Sequence, residues 1–142
     1  MKPVQLLAVF AENKPDQLAR ISKELADANV NIHWVGIADV QKFGVIRFLV
    51  DKCDLAYQWL KQHDFTVSLV EVLAVEVEDR PGGLHGVASA LAAEQLSLSN
   101  ISGFVFNHRA ILLLELAELP RARAVLARRR YHLLSEDEML SL

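Results

Sequence analysis

The sequence predicts an α+β chain built from two tandem β-α-β-β-α-β units, each an antiparallel sheet with both helices on one face. Three observations lead there. A shift of 66 residues lays the second half on the first without a gap. Within each half, β-prone runs alternate with apolar residues spaced three and four apart, the patterns of strands and amphipathic helices. Between the halves there is almost no linker sequence.

The repeat is specific. Leu7-Ala8-Val9 recurs as Leu73-Ala74-Val75, and Glu12-Asn13-Lys14-Pro15 falls on Glu78-Asp79-Arg80-Pro81. Leu18, Ile21, Leu25 and Ala26 fall on Leu84, Val87, Leu91 and Ala92, and Val45, Ile46 and Phe48 fall on Ile111, Leu112 and Leu114. Phe65 falls on Tyr131. A shared corner in register with the apolar pattern marks a duplication, and the chain divides into residues 1–70 and 71–142.

The elements follow in order. Val4 to Phe10 is apolar and β-prone, a strand. Asn13-Lys14-Pro15-Asp16 is turn chemistry, and Pro15 suits a first helical turn. Leu18, Ile21, Leu25 and Ala28 form one face of a helix ending near Asn29. Asn31 to Val40 is a second strand, Gln41 to Gly44 a turn and Val45 to Val50 a third strand. Asp54 is placed to cap a second helix with Leu55, Trp59 and Leu60 on its apolar face. His63-Asp64 ends it, and Phe65 to Val70 is a fourth strand. The second half repeats this, with strands over 72–78, 97–106, 110–117 and 131–134, helices over 81–95 and 120–129, and a short acidic tail from Ser135. This order is the split βαβ, or ferredoxin-like, unit.

Composition narrows the function. The 142 residues carry a net charge of −3, which argues against a nucleic-acid partner. Hydrophobic residues make up 52% of the chain, so it folds rather than staying disordered. No apolar run approaches the ~20 residues of a membrane helix, and Met1-Lys2-Pro3 leads straight into a strand, so a cytoplasmic protein is expected. The single Cys53 and five scattered histidines show no metal-ligand spacing, and neither a metal nor a cofactor is expected. The arginines at 121, 123 and 128–130 suit the C-terminal end of a helix.

Mean hydropathy is +0.21, which predicts apolar surface turned toward a partner. Ile46, Phe48 and Val50 alternate with Val45, Arg47 and Leu49, and Leu112, Leu114 and Leu116 with Ile111, Leu113 and Glu115. Both sheet faces are mostly apolar, so the helix-free face is expected to meet a second copy, giving a homodimer through sheet surfaces. Arg47 needs a carboxylate there, either Glu115 within the oligomer or one from a ligand.

The corners carry a resemblance. Asp79-Arg80-Pro81-Gly82-Gly83-Leu84, followed by Val87 and Leu91-Ala92, resembles the opening of an ACT domain. The first half gives Asn13-Lys14-Pro15-Asp16-Gln17-Leu18, then Ile21, Leu25 and Val30-Asn31-Ile32, departing at Asp16 where the family has glycine. The resemblance spans almost the whole chain, as two ACT domains in tandem. It implies a non-catalytic regulatory protein that binds a small molecule, usually an amino acid. Units of that family associate side by side, with the ligand between the first corner of one unit and the second strand of its neighbour.

Carried over by position, Asn13 and Asp79 are polar hooks for an ammonium group. Lys14, Asp16, Gln17 and Leu18, with Gly82, Gly83 and Leu84, form the cradle. Helix N–H groups there suit a carboxylate, and glycine permits close approach. His33 and Trp34, with Asn100, Ile101 and Ser102, face it from the second strands. Asp16 either caps its helix or reaches the ammonium group. One alternative is a ligand-free assembly subunit that docks on a metabolic enzyme. A remote one is an acylphosphatase-like hydrolase, which Arg80 and Asn100 imitate without the glycine-rich anion loop.

Overall fold

A computed structural model of the chain describes residues 2–12, 14–40 and 43–142, with only the backbone described at Val40. They form two compact units, Gln5–Val70 and Glu71–Leu142, the latter joined by residues 2–4.

The first unit contains β1 (Val4–Glu12), α1 (Gln17–Asp27), β2 (Ile32–Val40), β3 (Phe43–Val50), α2 (Cys53–Gln62) and the opening of β4 (Thr66–Val77). Its strand order is β2-β3-β1-β4. Leu7 pairs with Phe48 and Val9 with Ile46, and these side chains meet Ile21 and Leu25 of α1 and Ala56 and Leu60 of α2 in one core. The apolar spacing of both helices is thus spent on the sheet. Neither predicted cap is made. Asp16 occupies the N-cap position of α1 but accepts no backbone hydrogen bond with its side chain. Helix α2 starts a residue before Asp54, with Lys52 at its N-cap, so Asp54 acts only through its charge in the first turn.

The second unit continues with α3 (Gly83–Ala93), β5 (Asn100–Phe106), β6 (Arg109–Glu115), α4 (Leu119–Arg128), β7 (His132–Leu134) and α5 (Glu136–Leu140). Its order, β7-β4-β6-β5, repeats that of the first unit. Leu73, Val75, Leu114, Leu91 and Leu126 centre its core. Strand β4 runs unbroken across Glu71, as the last strand of one repeat and the first of the next. One sequence expectation is corrected. The expected acidic tail is α5, where Ser135 and Glu138 form a reciprocal capping box and Met139 is buried. Glu136, 2% exposed, takes Lys2 Nζ at 2.9 Å, and its N–H donates to the Lys2 carbonyl.

On the helix-free sides Leu6, Ala8, Leu49, Ala74 and Leu113 are buried. Exposed apolar residues gather instead on the strands that end each order: Val35 and Ile37 on β2, and Ile101, Val105 and Phe106 on β5. The β2–β3 register shifts between Ile32 and Trp34, leaving His33 as the extra residue of a β-bulge. No residue of β5 is charged.

A candidate ligand corner

The segment from Glu78 to Leu84 turns the chain from β4 into α3. The Arg80 N–H donates to the Glu78 carbonyl at 2.9 Å and the Gly83 N–H to the Arg80 carbonyl at 3.1 Å. Gly82 and Gly83 serve different needs. Gly82 has φ 95°, a left-handed conformation that costs other residues free energy. Gly83 has no such torsion, but a Cβ there would run into the Glu78 carbonyl oxygen. The two glycines make a corner tight enough to leave backbone bare to an approaching molecule.

A cleft of about 540 Å³ opens on one flank of this corner. Val77, Pro81 and Leu84 line it from the corner side, and Gly103, Phe104, Val105 and Ala110 from β5 and β6, with Asp79 also on its lining. The walls are mainly apolar. Asp79 makes no hydrogen bond or ion pair among the described residues, whereas Glu78 is engaged by Arg80. Nearby, Arg109 donates from Nε and Nη2 to Glu76 at 3.1 and 2.8 Å. That fork holds the Glu76 carboxyl below its ordinary range, first through the hydrogen bonds and then through charge. A bare carboxylate, free helical N–H groups and an apolar wall suit a zwitterion with a hydrophobic side chain.

Of the residues the sequence pointed to, Asp79 and Leu84 line this cleft, and Gly82 and Gly83 line the adjoining one. Asn100, Ile101 and Ser102 do not. They open β5, paired with Glu115, Leu114 and Leu113, while the cleft meets Gly103 to Val105 further along. Strand geometry contained the signal for these missed residues. Both β4 and β5 run antiparallel to β6, so β5 is parallel to β4, and its later residues lie beside the corner that follows β4.

In the first unit, Asn13 falls outside the described residues. Lys14 Nζ sits 3.0 Å from Glu12, and that hydrogen bond raises the lysine's pKa. Asp16 and Leu18 are exposed and Gln17 is half-buried, its N–H donating to the Lys14 carbonyl at 3.2 Å. His33 is exposed at the bulge, and the Trp34 ring lies against Gly36, where a Cβ would come within 2.8 Å. Trp34 pairs with Leu49 on the face opposite the helices, whereas Val35 and Ile37 pair with Phe48 and Ile46 on the helix side. Arg47 Nε and Glu115 Oε2 are both shielded from solvent.

Among the described residues, no group of three or more His, Cys, Asp or Glu is placed to hold a metal ion. Nor is any helix among them long and apolar enough to cross a membrane.

Known structures share this architecture. Protein BT0572 from Bacteroides thetaiotaomicron superposes with a TM-score of 0.92 at 28% identity, covering 99% of this chain and 97% of that one. The regulatory subunit of aspartate kinase from Thermus thermophilus, in its ligand-free form, gives 0.62 at 12% identity, over 90% of this chain and 93% of that one. Its counterpart from Thermus flavus gives 0.60 at 14%, over 88% and 92%. These last two likenesses are of fold. No curated protein matches the chain. A family model described as an ACT domain pair matches residues 2–142.

Proposed function

The chain belongs to the ACT domain family as a pair of such domains, and from that premise we propose that it is a non-catalytic regulatory protein that binds an amino acid. The observation that carries this reading is the Glu78–Leu84 corner. Its tight double glycine, its apolar cleft and the carboxylate of Asp79 supply what an amino acid needs. Backbone N–H groups at the start of α3 would take the carboxylate and Asp79 the ammonium group. The first-unit corner carries a charged Asp16 in place of Gly82, which disfavours a ligand carboxylate, so the second unit is the better binder.

We further propose that the protein is a cytoplasmic homodimer. The exposed Val35 and Ile37 on β2, and Ile101 and Val105 on β5, support association along strand edges rather than through the buried helix-free face. Association of that kind would bring Asn100, Ile101 and Ser102, or His33 and Trp34, against a neighbouring corner. The same edges favour the second reading, a subunit that docks on a metabolic enzyme without a ligand. A thermal-shift screen of the twenty amino acids separates the two, because a ligand selective for the native state raises Tm by mass action. At least one amino acid is expected to raise Tm, and Asp79→Ala to weaken that response more than Asn13→Ala. A flat screen refutes the ligand reading and leaves the docking one.

A further inference from the structure

The two repeats solve the same local packing problem in opposite ways. In the first unit the Arg20 guanidinium lies over the Phe65 ring, 5.5 Å from its centroid. The 66-residue offset places Gly86 at the position of Arg20 and Tyr131 at that of Phe65. The second unit therefore keeps the aromatic ring and lacks the cation. Gly86 lies inside α3, where glycine is an unfavourable choice. A Cβ there would lie 2.5 Å from the Tyr131 hydroxyl, so the ring end rests on the bare glycine. Beside that ring a cleft of about 340 Å³ opens, bounded by Val77, Pro81, Gly82, Gly83 and Tyr131 and by the ion-paired Glu78 and Arg80.

We propose that this cleft binds a free guanidinium compound, with the ligand's cation taking the place over Tyr131 that Arg20 takes over Phe65. Ring faces attract cations, and the first unit shows that a guanidinium fits this fold at this point. An adjoining opening of about 610 Å³ is lined by Glu78 and Asp79 on one side and Arg129 and Arg130 on the other. Asp79, Arg129 and Arg130 make no ion pair among the described residues. The carboxylate favours the ligand's cation. The two arginines favour a ligand that also carries an anion, so a guanidinium amino acid binds more tightly than a bare guanidinium. The cleft lies on the Tyr131 flank of the corner, away from β5, but it shares Asp79 and the double glycine with the site proposed above, and the inference rests on that corner taking a ligand.

The test is an amide NMR titration of the full chain with L-arginine, with methylguanidine and with L-citrulline, the neutral analogue of similar shape. L-arginine is expected to shift Gly82, Gly83, Gly86 and Tyr131, methylguanidine to do so more weakly, and citrulline at least ten-fold more weakly than arginine. Shifts at Phe104 and Val105 instead would report the other flank. The double variant Gly86→Arg with Tyr131→Phe rebuilds the first unit's pair. It should raise Tm and abolish the arginine response, while Tyr131→Phe alone retains it. Tyr131→Ala should weaken arginine binding at least five-fold, whether or not the double variant folds. The inference is overturned by the absence of shifts at these residues, by equal responses to arginine and citrulline, or by undiminished binding to Tyr131→Ala.

Discussion

Replacing Gly83 with alanine should destabilise the protein, against the usual sign for a helical glycine. Alanine normally gains about 1 kcal/mol over glycine within a helix. Here the added methyl meets the Glu78 carbonyl oxygen, a backbone atom that cannot turn aside as a flexible side chain would. Overpacking of this kind costs about 1–3 kcal/mol, and a rigid neighbour puts the cost in the upper part of that range. The net is a loss of about 1–2 kcal/mol. At roughly 4 °C per kcal/mol for a chain of this size, Tm falls by about 4–8 °C. The control is Gly44→Ala, whose Cβ would meet only ordinary contacts, 3.6 Å from the Ala38 carbonyl oxygen and 4.0 Å from that of Ala11. Differential scanning calorimetry on the two variants and the parent decides the matter. A Gly83→Ala protein as stable as the parent would show that the corner has room for a side chain, and the tight cradle would be refuted.

Leu60→Ala removes a fully buried side chain from the first core and should cost about 2–5 kcal/mol, whereas Leu55→Ala on the exposed face should change the urea midpoint little. Glu76 has its pKa lowered in the native state by Arg109, so its contribution is full above the ordinary value of 4.5 and is lost as pH falls through the lowered native value. Urea titrations from pH 6 downward should show a smaller acid loss for Glu76→Gln, and an identical profile would remove that assignment. Ser135→Ala deletes half of the capping box on α5 and should cost about 1 kcal/mol, read as faster amide exchange at Glu138 and Met139.

Much of the fold was legible because each half repeats its pattern, so a weak signal in one was checked by the other. Leu7, Val9, Ile21, Leu25 and Phe48 are all core residues, as their spacing implied. The repeat also set the division near Glu71, and because Thr66 to Val77 contains no glycine, proline or asparagine to turn the chain, one strand serves both halves. The misreading has a physical source. Ser135 and Glu138 stood at capping-box spacing, but the acidic residues around them read as a solvated tail. At the site, the glycines were legible from the motif. Gly103 to Val105, which line the same unit's cleft, were not, because placing them there needs the relative direction of the strands. The Gly86–Tyr131 pairing needed three dimensions, since 45 residues of chain separate the two.

The uncharged edge strand β5 carries a cost. Asn-Ile-Ser-Gly-Phe-Val-Phe has no charge and no proline, and several of its apolar side chains are exposed. Such a segment is a template for cross-β stacking. Strand β2, at the end of the other order, is guarded by its His33 bulge and by Asp39. Exposed edges so unlike each other give the molecule a vulnerable side and a defended one. Overheated or overconcentrated protein should therefore deposit through residues 100–106, and a lysine at Val105 should delay it. Any partner that pairs with β5 would also act as its chaperone.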